Sequence, residues 1–207
     1  MHAHSTVITA LSRLSVCLLL SACTHLQDGV TSGPLAQPEI ATGSQKKADV
    51  ITQRTAVATA HPLATQAGLR MLQAGGSAVD AAVAAQMVLG LVEPQSSGLG
   101  GGAFLLHSEN GLVQAWDGRE TAPAQASEAL LLDPQGKPLP FHDAVVGGRA
   151  VGTPGVLHML WRVHQQHGKL PWAQLFDPAI ALANNGFEIS PRLHASLLAD
   201  KYLRLDP

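Results

Sequence analysis

Few side chains in this chain have wide chemical scope. It carries ten histidines and two cysteines in 207 residues. His164 and His167 stand at i and i+3 of a predicted helix, a spacing that turns two imidazoles to one face. No third ligand or carboxylate is arranged with them in the sequence, and a metal centre ordinarily takes three or four. A solvated helix face accounts for the pair, so no metal ligand and no cofactor is assigned. Cys17 and Cys23 are too few for a zinc cage or a disulfide framework. Gly98-Leu-Gly-Gly-Gly102 has the composition of a phosphate cradle, but no helix is predicted after it. A structural turn is the simpler reading. HExxH, DxD, the Walker loop and the dinucleotide fingerprint are missing from the sequence.

Composition narrows the classes further. Apolar residues make up 46%, charged residues 14% and aromatic residues 4%. Globular chains carry roughly 25% charged residues. This chain is charge-poor and rich in small apolar residues, which suits close helix packing and speaks against wholesale disorder. Thirteen Lys and Arg against fifteen Asp and Glu give a net charge of −2. That leaves no basic excess to neutralise phosphates, so no nucleic-acid partner is expected. No apolar run reaches the ~20 residues of a membrane-spanning helix.

Residues 1–22 read as a secretory signal, with Arg13 supplying positive charge and Leu14–Ala22 a short apolar core. The segment ends in Leu20-Ser21-Ala22-Cys23, which resembles the lipobox of bacterial lipoproteins. The resemblance implies that Cys23 is diacylated, that the bond before it is cut, and that the new amine is acylated. Each buried CH₂ of such chains contributes roughly 0.8 kcal/mol to membrane anchoring. Thr24 stands where an Asp would favour inner-membrane retention, so a periplasmic protein on the outer membrane is expected. The alternative is a plain signal peptide cut nearby. Residues 23–54 are rich in Gly, Pro, Ser, Gln and charge and show no apolar period, as a flexible tether would.

The folded body is expected over 55–207. Ala56-Val-Ala-Thr59 suggests a short strand. His61-Pro62 opens a helix whose apolar stripe is Ala64, Ala67, Gly68, Met71 and Leu72, and Gly75-Gly76 stops it. Ser77 caps a second helix, Ala78 to about Val92, with Asp80 three residues on, close to a capping box. That helix is apolar nearly all round, so it is predicted to be buried. Ala103–His107 and Leu112–Asp117 read as a hairpin around Ser108-Glu-Asn-Gly111. Further helices are predicted from about Pro154 to His167, after Leu170-Pro-Trp172 with Leu175, Ala179, Leu182 and Ala183 inward, and from Leu193 to Tyr202. Helices, then a hairpin, then helices suggest layers of the α+β class.

A joined pattern runs through these elements. It comprises Ala58-Thr-Ala-His-Pro-Leu-Ala-Thr65, Gly75-Gly-Ser-Ala-Val-Asp-Ala-Ala82 and Gly98-Leu-Gly-Gly-Gly-Ala-Phe104. It continues with Trp116-Asp-Gly-Arg-Glu-Thr-Ala-Pro-Ala124, Gly152-Thr-Pro-Gly155, Lys169-Leu-Pro-Trp172 and Pro178-Ala-Ile-Ala-Leu-Ala183. In order and spacing it resembles the N-terminal part of the gamma-glutamyltranspeptidases, over roughly 55–207. The resemblance implies an N-terminal-nucleophile hydrolase fold with a four-layer αββα core, of which this chain is the first part of the large subunit. It implies a precursor that cuts itself to free a threonine at the start of a smaller subunit. That threonine attacks the γ-glutamyl amide of glutathione with its own amine as base, and the acyl group passes to water or to an amino acid or peptide.

One site residue follows from the resemblance. Arg119 matches the family arginine that pairs with the α-carboxylate of the γ-glutamyl group, and a guanidinium forks onto a carboxylate through two parallel hydrogen bonds. The alternative is a structural ion pair with Asp117 or Glu120; Glu120 is expected to orient Arg119. No catalytic residue is assigned. Thr55, Thr59, Thr65, Thr121 and Thr153 all fall inside the large-subunit pattern, so the nucleophile and the small subunit are expected to be encoded elsewhere. The chain alone is then inactive, and its unpaired sheet edges invite aggregation. Two other readings stand beside this one. One is a non-catalytic lipoprotein binding module; the other is an amide hydrolase of the cephalosporin-acylase type.

Overall fold

A computed structural model describes residues 48–204. The signal segment, Cys23 and the tether up to residue 47 lie outside the described residues. The elements are α1 (Pro62–Gln73), α2 (Ala78–Val92), β1 (Ala103–Glu109), β2 (Leu112–Gly118), α3 (Phe141–Val145), α4 (Val156–His167), α5 (Asp177–Asn185) and α6 (Pro191–Ala199). Single 3₁₀ turns cover Gly148–Ala150 and Trp172–Phe176. The class is α+β, as expected.

The alanine-rich α2 is the hub, packed against α1, α4, α5 and the second 3₁₀ turn. Its small side chains let neighbours approach on several sides at once, and Val83, Ala84, Val88 and Val92 are wholly buried. The capping box is complete: Ser77 Oγ accepts the Asp80 N–H at 3.2 Å, and Asp80 Oδ2 accepts the Ser77 N–H at 2.7 Å. The same Oδ2 accepts the N–H groups of Lys169 (3.0 Å) and Leu170 (3.2 Å). One carboxylate thus ties the start of α2 to the loop after α4. At the other end Glu93, the buried C-cap residue, pairs with Arg192 at the start of α6.

Strands β1 and β2 form an antiparallel hairpin in which Ala103 faces Gly118 and His107 faces Gln114. The turn is tighter than the sequence suggests. Asn110 and Gly111 alone make it, both at positive φ (51° and 80°), the backbone that a two-residue Asn-Gly hairpin turn requires. Ala103, Leu105 and Trp116 lie against the core. Phe104 and Leu106 face outward.

Several expectations are corrected. Residues 56–59 form no strand, and none pairs with them among the described residues; Val57 instead packs on the helical core. The helix expected after Trp172 is split in two. Pro178 has no N–H and fits only a first turn, so α5 starts afresh at Asp177. Ala183 is exposed. The last helix runs Pro191–Ala199, ending where Asp200 Oδ1 accepts the N–H groups of Leu203 and Tyr202. Those two bonds hold its carboxyl below the usual aspartate range. The pair His164 and His167 is no solvated face. His164 is 8% exposed in the core, with Nε2 2.9 Å from Leu170 O. The two rings point to different neighbours.

Candidate functional site

Arg119 follows the last residue of β2, and its position is fixed by three converging segments. The carbonyl of Gly101 accepts the N–H groups of Gly155 and Val156, both at 3.2 Å. The glycine-rich turn therefore supplies a partner for the first orphan donors of α4, a need common to all helix N-termini. Thr121 and Thr153 exchange backbone hydrogen bonds at 3.3 and 2.9 Å. Residues 98–102, 118–121 and 152–156 are thus bound edge to edge.

Such an approach leaves no room for side chains at the crossing points. A Cβ on Gly155 would lie 2.5 Å from the Arg119 carbonyl oxygen and closer still to that of Gly118. One on Gly102 would lie 2.7 Å from Arg119 Cα and from the Glu120 nitrogen. Both glycines are used for contact distance rather than for a special φ.

The side chains emerge from this clamp into an open cleft of about 430 Å³. Arg119, Glu120, Thr121, Arg149 and Gly152 are among the residues lining it. The Arg119 backbone N–H donates to the Asp117 side-chain Oδ1 at 2.9 Å, a local bond that holds the turn. Its guanidinium has no salt-bridge partner among the described residues. The ion pair with Asp117 or Glu120 is therefore not formed, and Glu120 does not orient Arg119 by pairing. Its carboxylate sits over Gly101 and Gly102 instead.

Arg149 was not singled out from the sequence. It lies in the stretch between Gly147 and Gly152, with Nη1 3.4 Å from Leu130 O. The only available signal was the pair of glycine motifs around it, which says loop and nothing of a cleft. Two arginines against one glutamate give the cleft a net positive lining, which favours an anionic ligand. The contrast with Arg192 is instructive. That arginine is committed to Glu93 and to Ser96 Oγ (2.8 Å), so it ties α2 to α6 and leaves no free cation.

Cys23 lies outside the described residues. Thr121 and Thr153 serve the backbone bridge.

The gamma-glutamyltranspeptidase family model matches residues 64–207. Glutathione hydrolase 2 of Arabidopsis thaliana is 42% identical over 163 residues, which is 74% of this chain and 27% of that protein. Among solved structures, the gamma-glutamyltranspeptidase of Helicobacter pylori superposes with a TM-score of 0.69 at 38% identity, over 73% of this chain and 43% of that one. A cephalosporin acylase from Bacillus halodurans superposes with a TM-score of 0.63 at 32% identity, over 79% of this chain and 31% of that one. The helical layer and hairpin are thus those of the N-terminal-nucleophile hydrolase fold. The chain spans about a quarter of the length of the curated relatives it matches. With the family model covering 64–207 and the motif order and helix-hairpin-helix layout in agreement, the chain belongs to the gamma-glutamyltranspeptidase family.

Proposed function

We propose that this chain supplies part of the large subunit of an enzyme that hydrolyses or transfers the γ-glutamyl group of glutathione or a related γ-glutamyl compound. Arg119 binds the substrate's α-carboxylate. The observation that carries the reading is its guanidinium, without a salt-bridge partner among the described residues, on the rim of a cleft that also holds Arg149. An arginine already neutralised by a neighbour would have to break that pair before binding substrate. This one presents its fork at once. The attacking threonine and its α-amine belong to a small subunit outside this chain's matched pattern. This chain binds and orients; it does not attack. By itself it does not turn over substrate.

The proposal extends to location. Residues 1–22 are a signal, Cys23 carries lipid, residues 23–54 form a spacer, and the body at 55–207 sits in the periplasm on the outer membrane. Cys23→Ala abolishes incorporation of labelled palmitate and releases the protein to the soluble periplasmic fraction. Labelling that survives the substitution rejects the lipid anchor.

The substrate role is tested in a polypeptide that restores the remaining large-subunit residues and the small subunit. Arg119→Ala there lowers kcat/KM for glutathione roughly 10- to 150-fold, since a hydrogen bond to a charged group is worth about 1.5–3 kcal/mol. Arg119→Lys recovers part of it, and self-cleavage is unchanged. Kinetics equal to wild type remove Arg119 from the site. The likeness to the Bacillus halodurans acylase favours one second reading. Cleavage of a β-lactam side chain by the restored enzyme, without glutamate release from glutathione, would select it.

A further inference from the structure

We propose that His107, Glu109 and His167 form a binding site for a divalent transition-metal ion of the Zn²⁺ class. This goes beyond the proposed function and involves neither Arg119 nor its cleft. The site is at the turn end of the hairpin; Arg119 follows the opposite end.

The topology brings the three together. His107 and Glu109 stand at i and i+2 of β1, so they share a face. His167 is the last residue of α4, the helix packed on β2. One ligand atom from each lies within 4.8 Å of the others. The two imidazole rings are 4.0 Å apart between centroids at an interplanar angle of 31°. His167 Nδ1 lies 3.8 Å from Glu109 Oε2.

A further contact orients His167. Its Nε2 is 2.8 Å from Gln114 Oε1, the residue paired with His107 across the ladder. That leaves Nδ1 as the ring atom turned toward the Glu109 carboxylate. A hydrogen bond from the non-ligating ring nitrogen to a carbonyl or carboxylate is the usual support of a metal-bound histidine. Two imidazoles and one carboxylate suit Zn²⁺, Ni²⁺ or Cu²⁺, with water in the open positions. Glu109 is exposed and turns inward without disturbing the core. The bound ion clips the end of α4 to the hairpin.

The full 207-residue chain, prepared without a histidine tag and stripped with chelator, is titrated with ZnCl₂ by calorimetry. One equivalent binds at micromolar concentration and raises the thermal unfolding midpoint. His107→Gln and His167→Gln each weaken binding at least 10-fold and abolish the thermal shift. Glu109→Gln weakens it several-fold. His158→Gln, an exposed change on another face of α4, leaves binding unaltered. Far-UV circular dichroism establishes that each variant is folded. No binding, or binding that His107→Gln and His167→Gln leave intact, overturns the proposal and leaves a His167–Glu109 ion pair only.

Discussion

Asp80 and His164 have the outward form of a catalytic pair, a buried carboxylate 3.4 Å from an imidazole nitrogen. Their surroundings give them a different task. Asp80 Oδ2 already accepts three backbone N–H groups, from Ser77, Lys169 and Leu170. His164 lies against Trp172 with the two rings tilted and bonds the Leu170 carbonyl, with Gly168 closed over its ring. A base held this way has no approach for a substrate. The pair fastens the loop after α4 to the start of α2. Asp80→Ala removes the carboxylate half of the capping box, worth about 1 kcal/mol, and leaves the part-buried N–H groups of Lys169 and Leu170 without a partner, toward the lower end of roughly 1–3 kcal/mol each. A loss of roughly 3–5 kcal/mol is expected from the urea midpoint. Asp80→Asn keeps one acceptor and should lose less. From the sequence, Asp80 was legible as a helix cap because its partner lies three residues away. Its bonds to Lys169 and Leu170 were not, because they cross about ninety positions. Arg119 was legible through its motif, but the absence of an ion pair depends on where Glu120 turns.

The clamp under Arg119 belongs to the elements that form it. Gly155 precedes α4, and its N–H reaches the Gly101 carbonyl only because no Cβ stands between it and β2. Gly155→Ala must push the end of β2 from the start of α4. In the restored enzyme, KM for the γ-glutamyl substrate should rise several-fold while the far-UV circular dichroism spectrum keeps its helical shape. An unchanged KM would mean that the Arg119 backbone tolerates the displacement. The same contrast between local and distant information explains which elements were readable. The second helix could be bounded at Ala78 and Val92 because Ser77 caps it and Glu93-Pro94 ends it. The hairpin was readable from the two apolar runs on either side of Ser108-Glu-Asn-Gly111, though not the tightness of its turn. Residues 56–59 have strand composition, yet a strand is a relation to a partner, and composition names no partner. Helix α3 spans five residues, too few for an apolar period to declare itself.

For the molecule as a whole, the outward face of the hairpin carries the largest consequence. Phe104, Leu106 and Val113 are 66%, 75% and 67% exposed, and the register sets them on one face with Ala115. In a half-buried strand that face would be polar. Here Phe104, Leu106, Val113 and Ala115 outnumber the two polar residues on that face, Ser108 and Asp117, which is closer to the pattern of a sheet covered on both sides. A two-stranded hairpin is marginal in water, and exposed apolar patches with free strand edges promote association. The chain purified alone should therefore bind a hydrophobic dye and show a sedimentation coefficient that rises with concentration. Phe104→Ser with Leu106→Ser should reduce both signals without changing the helical circular dichroism, because neither side chain touches the α2 core. In the restored enzyme the same double substitution should do the reverse. It should destabilise by roughly 2–5 kcal/mol, in the range of large-to-small changes at buried apolar positions. A monomer at high concentration, or a restored enzyme indifferent to the double change, would mean that this face is built for water. The opposite signs in the two settings distinguish a covered sheet from a surface that is merely greasy.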